Sequence, residues 1–274
     1  MKFRIIGTLF FMCSIMFLGC ELNSRPPSEM PKTLTDIAYD VDERLGYTVQ
    51  IKENEKYAPY LVLTNNYNDN GDVLLLRQYL LDELVAYKSP NDKGNYDIDT
   101  IASYYETSDI DSFLNGEFYE RLPSEVQNII VESTIEITAK ESIGRGGKEI
   151  VNIARKIFLL SYTELNAANS GYRIRTFLTE GKPLEYFIER SSRVAYHSNG
   201  ETSHWWLRTV STATYSFASV VMDEGSIVSA PTYSLGSGIN GHISAVRPAF
   251  CLPQDISIKK IELNGEEMYV LDME

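Results

Sequence analysis

The chain has 274 residues, 43% of them hydrophobic, and 38 acidic side chains against 25 basic ones give a formal charge of −13 at pH 7. That length supports one large domain or two small ones with a substantial core. The acidic balance excludes bulk electrostatic attraction to nucleic acid or anionic lipid as the basis of function.

The first element is "MKFRIIGTLFFMCSIMFLGC", in which Lys2 and Arg4 precede an apolar run over residues 5–18 and then Gly19-Cys20. A charged start, an apolar run and a small residue before the cut predict a secretory signal peptide. A membrane span needs about 20 apolar residues, and this run is shorter. Phe17-Leu18-Gly19-Cys20 resembles the bacterial lipobox, with Phe17 in place of the usual Leu, and implies acylation of Cys20. The polar, proline-rich "ELNSRPPSEMPK" that follows predicts an extended tether. The expected organisation is a signal peptide over 1–19, a tether over 20–35 and one extracytoplasmic domain over 36–274, held at the bacterial cell membrane by its lipid. Each buried acyl methylene adds about 0.8 kcal/mol, so two or three chains anchor firmly. Cleavage removes Lys2 and Arg4 and no acid, taking the charge from −13 to −15. Cys13 leaves with the signal and Cys20 is acylated, so Cys251 stands alone and no internal disulfide is expected.

Along the domain, "GYTVQI" alternates as a strand. Two apolar runs, residues 60–63 and 73–76, flank the polar "NNYNDNGD" and predict a β-hairpin. Asn66, Asn68, Asn70, Gly71 and Asp72 superficially suit a calcium loop, but Arg77 stands where such a loop needs its bidentate Glu. "TSDIDSFLNGEFYERLPSEVQNIIVES" predicts two helical pieces. Ser108 or Asp109 caps the first, Gly116 breaks it, and Ser124 and Gln127 have capping-box spacing in the second. Val126, Ile129 and Ile130 form its apolar stripe. "STIEIT" alternates as a strand with Ile135 and Ile137 on one face. "ESIGRGGKE" lacks the spacing of a phosphate-binding loop and is expected to be a flexible connection. Residues 157–160 predict a buried strand, after which Ser161 and Glu164 have capping-box spacing. "KPLEYFIERSSR" suggests a helix with Pro183 in its first turn. From Trp205 onward short apolar stretches separated by Gly, Ser and Asn predict mostly strands, ending in a hairpin with Asn264-Gly265 at its turn. The order of helices and antiparallel strands argues for an α+β domain.

Four pieces then stand out together: "YLVLTNNYNDNGDVLLLRQYLL", "SDIDSFLNGEFYERL", "KIFLLSYTELN" and the pair "HWWLRT" and "SAVRPAFCL". Their combination, over residues 47–252, resembles a family of bacterial extracytoplasmic domains known only as a domain of unknown function. Phe113 stands where relatives more often have Trp, and Ala245 where Gly is common. That family is similar to the C-type-lectin-like fold, shared with formylglycine-generating enzymes and with variable proteins of retroelement systems. The resemblance implies an aromatic strand paired centrally with an Arg-containing strand, under long loops that carry the binding surface. It supplies a scaffold and no reaction.

The only two tryptophans, Trp205 and Trp206, are adjacent, so on a strand they face opposite sides. One is expected in the core beneath the loops and the other under a helix or at a loop base. Arg208 shares the face of Trp206, and Arg247 lies in the second motif strand; both suit clamps on carbonyls or carboxylates. A half-exposed Trp as a sugar-stacking platform is the competing reading. His197, His204 and His242 lack the tight spacing of a helical metal pair, and no metal or other cofactor is expected. Cys251, between Phe250 and Leu252, reads as a buried, inert thiol. It has no second cysteine to form the pair that formylglycine-generating catalysis uses. Asp109, Asp111, Glu117 and Glu120 read as an exposed helix face. The calcium signature of lectin-like loops is also missing, because Leu207 and Arg208 follow Trp206 where an amide and a carboxylate are needed, so calcium-independent binding is expected. The expected function is a surface lipoprotein that binds a protein, a glycan or another envelope partner, with 18 tyrosines and Ser/Gly/Asn-rich loops suited to adaptable recognition. An envelope hydrolase with a loop-built site and a purely structural envelope protein are the alternatives.

Overall fold

The computed structural model describes residues 30–40, 42, 47–89, 101–167, 174–232, 244–263 and 265–273. The signal segment, Cys20, the first part of the tether, His242 and Asn264 lie outside them. Residues Pro31–Glu274 form one compact unit.

Alternation builds the first strands. In β1 (Thr48–Glu53), Val49 and Ile51 point inward. Asn54 and Glu55 both take positive φ (46° and 69°) and turn the chain directly into β2 (Lys56–Tyr67), as a two-residue primed turn requires. The polar tip then reverses the chain into β3 (Asp72–Arg77), which pairs antiparallel with β2. Asn68, Asp69 and Gly71 have φ of 56°, 60° and 75°, and the Asn66 carboxamide accepts the Gly71 N–H at 3.0 Å. The tip is therefore a hairpin turn. Arg77 is spent on Glu53 at 2.8 Å and on the carbonyls of Tyr79 and Leu80.

After β4 (Leu84–Val85), the helical segment opens at Ser108, whose hydroxyl accepts the Asp111 N–H at the start of α1 (Asp109–Phe113). Gly116 does not end it, contrary to the sequence expectation. The chain continues through a π-helical turn, Leu114–Phe118. A mid-helix glycine costs only about 1 kcal/mol. Buried Leu114 and Phe118 offset that, and the Asn115 carboxamide grips both the N–H and the C=O of Ile157 at 3.1 and 2.9 Å. In α2 (Ser124–Ile129), Val126 is buried, as is Ile130 just beyond its end. The predicted Ser124–Gln127 box does not form. The helix begins on the Pro123 carbonyl, which takes the Gln127 N–H, and the Gln127 carboxamide donates to Leu122 instead.

β5 (Ser133–Thr138) buries Ile135 and Ile137 and pairs with β6 (Ile150–Arg155) through the glycine-rich connection. β7 is only Ile157–Phe158, shorter than the expected strand over 157–160. The ladder stops because the chain changes partner: Phe158 pairs with one sheet, while the Leu160 carbonyl accepts the Arg208 N–H of another. Residues 185–193 form two 3-10 turns, Glu185–Phe187 and Arg190–Arg193, in place of the expected α-helix, and Pro183 precedes both. Buried Phe187 and Arg193 pin this path.

The C-terminal third is β as expected: β8 (Trp205–Val210), β9 (Phe217–Val221), β10 (Ile227–Pro231), β11 (Ser244–Ala245), β12 (Ala249–Pro253), β13 (Ile258–Leu263) and β14 (Glu266–Leu271). Leu263 opposes Glu266, so the last hairpin has a two-residue turn, with Gly265 at φ 84°. A seven-stranded sheet has the order β13-β14-β1-β2-β3-β12-β7, a five-stranded sheet β10-β9-β8-β11-β4, and β5-β6 stands as a separate hairpin. Among the described residues, only β1–β14 and β8–β11 are parallel pairs. The domain is mostly β with a few short helical turns, an arrangement that fits α+β or mostly β. Among the described residues, no helix is long and apolar enough to cross a membrane.

Candidate functional site

β8 is the central strand of the five-stranded sheet, and all six of its side chains are buried. Trp205 and Trp206 are both fully buried and diverge to different neighbours. Trp205 donates from Nε1 to the Arg193 carbonyl at 3.1 Å, under the second 3-10 turn. Trp206 donates to Val85 of β4 at 3.0 Å and meets the Tyr87 ring edge-on. The pairing of β8 with β9 shifts register between Trp206 and Val210, and within that irregularity Arg208 and Thr209 reach two buried carboxylates.

The first carboxylate is Glu164. Ser161 and Glu164 form the predicted capping box, with Ser161 N–H to Glu164 Oε2 at 2.8 Å and Glu164 N–H to Ser161 Oγ at 3.0 Å. This turn also aims the carboxylate at Arg208, which donates through Nη1 and Nη2 to the two oxygens at 2.7 and 2.8 Å. Tyr67 adds a hydroxyl at 2.7 Å. Arg208 donates further to the carbonyls of Glu136 and Leu159. Burial alone lowers the pKa of a guanidinium, but Glu164 outweighs it and holds Arg208 above its ordinary range. Burial beside Glu164 likewise keeps the Tyr67 hydroxyl protonated.

The second carboxylate is Glu180. It accepts from the Thr138 N–H and hydroxyl at 2.7 and 2.6 Å and from the Thr209 hydroxyl at 2.5 Å. Burial raises its pKa above the ordinary carboxylate value, while Arg208 and these donors pull the other way. Gly181 follows at φ 73°, and a Cβ there would sit 2.7 Å from Glu164 Oε1. Only glycine lets the backbone pass this close to the ion pair.

Above the pair lies a polar depression of about 450 Å³. Tyr67, Glu164 and Arg208 form its floor. Asn68, Asp69 and Asn70 from the β2–β3 tip and Glu136 and Asn152 from the β5–β6 hairpin form its rim, which Lys182 closes through an ion pair with Asp69. The Asn68 carboxamide ties the two hairpins together by donating to Thr134 O at 2.6 Å, and the Glu136 carboxylate accepts the Gly181 N–H at 2.7 Å.

Arg247 stands elsewhere, and not in a strand. It lies between β11 and β12, where the chain crosses from the five-stranded to the seven-stranded sheet and Pro248 has no N–H to continue a ladder. Its guanidinium donates to the carbonyls of Arg77 and Gln78 at 2.9 and 3.3 Å and covers the Trp205 ring at 5.1 Å. No carboxylate joins it among the described residues, and burial lowers its pKa to about 10. Cys251 is buried in β12, and burial raises its thiol well above the usual range. His197 faces Asp82 at 3.5 Å, while His204 contributes its carbonyl to Ala245 N–H. Among the described residues no three His, Cys, Asp or Glu side chains cluster as metal ligands. Asp111 corrects the expectation of an exposed acidic face. It is buried and binds Arg155 Nε at 2.9 Å, because it lies on the side of α1 that meets the end of β6, while Glu117 and Glu120 are exposed.

Three of the motif segments thus meet at one place: the β2–β3 tip, the Ser161–Glu164 turn and the β8 arginine. A family profile for DUF6273, a domain of unknown function, matches residues 70–254. The chain belongs to the DUF6273 family. The DUF6273 match contains the floor residues Glu164 and Arg208 and most of the rim, and begins at Asn70 inside the hairpin tip. No curated protein matches the chain. No solved structure matches it either. Tyr67, Glu136, Glu180 and Gly181 of this candidate site carry no local signal in the sequence. Glu164 alone carried a local signal, its capping-box spacing.

Proposed function

We propose that this chain is an extracytoplasmic lipoprotein, anchored to the bacterial membrane through Cys20, whose lectin-like domain binds a hydroxyl-rich envelope ligand such as a glycan at the depression over Arg208 and Glu164. The observation that carries the reading is the division of labour there. Both oxygens of Glu164 already accept two donors each, which leaves no lone pair directed at a substrate. The exposed amides and carboxylates of Asn70, Asn152 and Glu136 are set around a buried, hydrogen-bonded floor. Such a surface offers paired donors and acceptors to hydroxyls and suits binding better than acid–base chemistry. Central placement of the aromatic strand β8, paired with the segment leading to Arg247, supports the lectin-like reading. The anchor rests on the lipobox-like Phe17-Leu18-Gly19-Cys20 and the tether after it.

The test is retention on glycan arrays and on fractionated envelope polymers, comparing wild type with Asn70→Ala and Asn152→Ala. Both variants should keep the wild-type melting temperature and lose glycan retention. Retention of a proteinaceous fraction alone, or glycan retention indifferent to both substitutions, sinks the assignment. For the anchor, Cys20→Ala should abolish labelling by acyl precursors; labelling that persists in the variant rejects it.

A further inference from the structure

We propose that a second cavity, lined by Tyr162, Ile174, Arg190, Arg193, Ile227 and Val228, is a binding site for a small organic carboxylate with an apolar body. The cavity measures about 320 Å³, within the size range of small-ligand pockets. It is separate from the depression over Glu164 and shares no lining residue with it.

Two guanidiniums give the site its charge. Arg190 and Arg193 begin and end one 3-10 turn, and residues three apart on such a turn eclipse one another. Their side chains therefore line the same cavity, and the charge of Arg190 disfavours that of Arg193. Arg190 is half-exposed and meets Glu224 at 3.0 Å. Arg193 is buried and has no carboxylate partner among the described residues. Its Nε donates to the Leu165 carbonyl at 2.9 Å and its Nη2 to the Asn166 carbonyl at 3.2 Å, while Nη1 donates to no described group. Burial, with Arg190 adding to it, weakens the hold of Arg193 on its proton. A buried cation beside a second cation is costly unless an anion joins it. In a chain of formal charge −13, this pair is a local exception.

The remaining walls choose the kind of anion. Ile174 and Ile227 pack against the Tyr162–Phe177 aromatic pair, and Val228 continues the apolar surface. Inorganic phosphate would leave that surface uncovered. A carboxylate on a short aliphatic or aromatic body covers it, and its two oxygens match the planar fork of a guanidinium.

The experiment is a methyl-resolved NMR titration of the purified full-length chain with benzoate and hexanoate, against benzamide and inorganic phosphate. Saturable shifts are expected at the Ile174, Ile227 and Val228 methyls with the two carboxylates, and none with benzamide or phosphate. Losing a charge-assisted hydrogen bond should raise Kd about tenfold or more in Arg193→Met. Arg190→Gln, at an exposed position, should raise it several-fold and keeps the test decisive if Arg193→Met fails to fold. Absence of saturable carboxylate binding, equal binding of benzamide, or an unchanged Kd in Arg190→Gln would each overturn the proposal.

Discussion

The two motif arginines are equally buried and are held in opposite ways. Arg208 faces a carboxylate through two parallel hydrogen bonds, and Glu164 in turn is fixed by a tyrosine and a backbone N–H. Arg247 has carbonyls and an indole face but no acid, and its Nη1 is buried without a partner. The electrostatics follow: Arg208 is held above the ordinary guanidinium range, whereas Arg247 falls to about 10. Burial acts alike on both, so the sign is decided by the counter-charge. Arg208 is a lock on which other buried charges depend, and Arg247 is a clamp that ties a crossover to the end of β3.

This difference predicts unequal consequences when each is broken. Glu164→Ala leaves Arg208 charged, buried and unpaired, and should destabilise the domain by about 3–5 kcal/mol, read by denaturant unfolding. The double variant Glu164→Leu/Arg208→Met removes both charges and should recover much of that loss. A double variant no more stable than Glu164→Ala would show that hydrogen bonds to the carbonyls, and not the charge pair, hold the centre.

Next comes Gly181→Ala, which forces a side chain into left-handed backbone and against Glu164 Oε1. A loss of about 1–3 kcal/mol is expected, and calorimetry on the purified variant measures it. A neutral result would mean that the Glu164 carboxylate yields, contrary to a rigid lock.

Arg247→Met should cost less, about 1–2 kcal/mol, because it removes two net hydrogen bonds and orphans no carboxylate. If its effect equals that of Glu164→Ala, the two arginines do not differ in kind.

The smallest effect concerns Asp111, whose pairing with Arg155 does not fully offset burial, so its carboxyl is raised to about 6 from an ordinary 3.8. The folded state then binds this proton more tightly than the unfolded one, and stability should fall as pH rises from about 4 to 6. Asp111→Asn should flatten this stretch of the stability profile by on the order of 1 kcal/mol. Parallel wild-type and variant curves between pH 4 and 6 would remove Asp111 as the cause.

Much of the β framework was legible in the residues. Alternation in "GYTVQI" and "STIEIT" and the polar "NNYNDNGD" tip each correspond to an observed strand or turn. Where local signals were overruled, a long-range contact did it. Asn115 on Ile157 carries the helix through Gly116, and the Arg208–Leu160 hydrogen bond takes residues 159–160 out of the expected strand. The apolar neighbours of Arg247 predict a strand there, whereas Pro248 and the change of sheet place it in a crossover.

The sequence by itself determined many of the strands and turns and the Ser161–Glu164 capping box, because each depends on residues within a few positions of one another. Tertiary structure alone decided that Glu164 meets Arg208 across 44 positions, that Glu180 closes on Thr138 and Thr209, and that Gly181 must be glycine. A buried charge takes its partner from whichever elements packing brings beside it, and sheet order, which local periodicity does not encode, selects those elements.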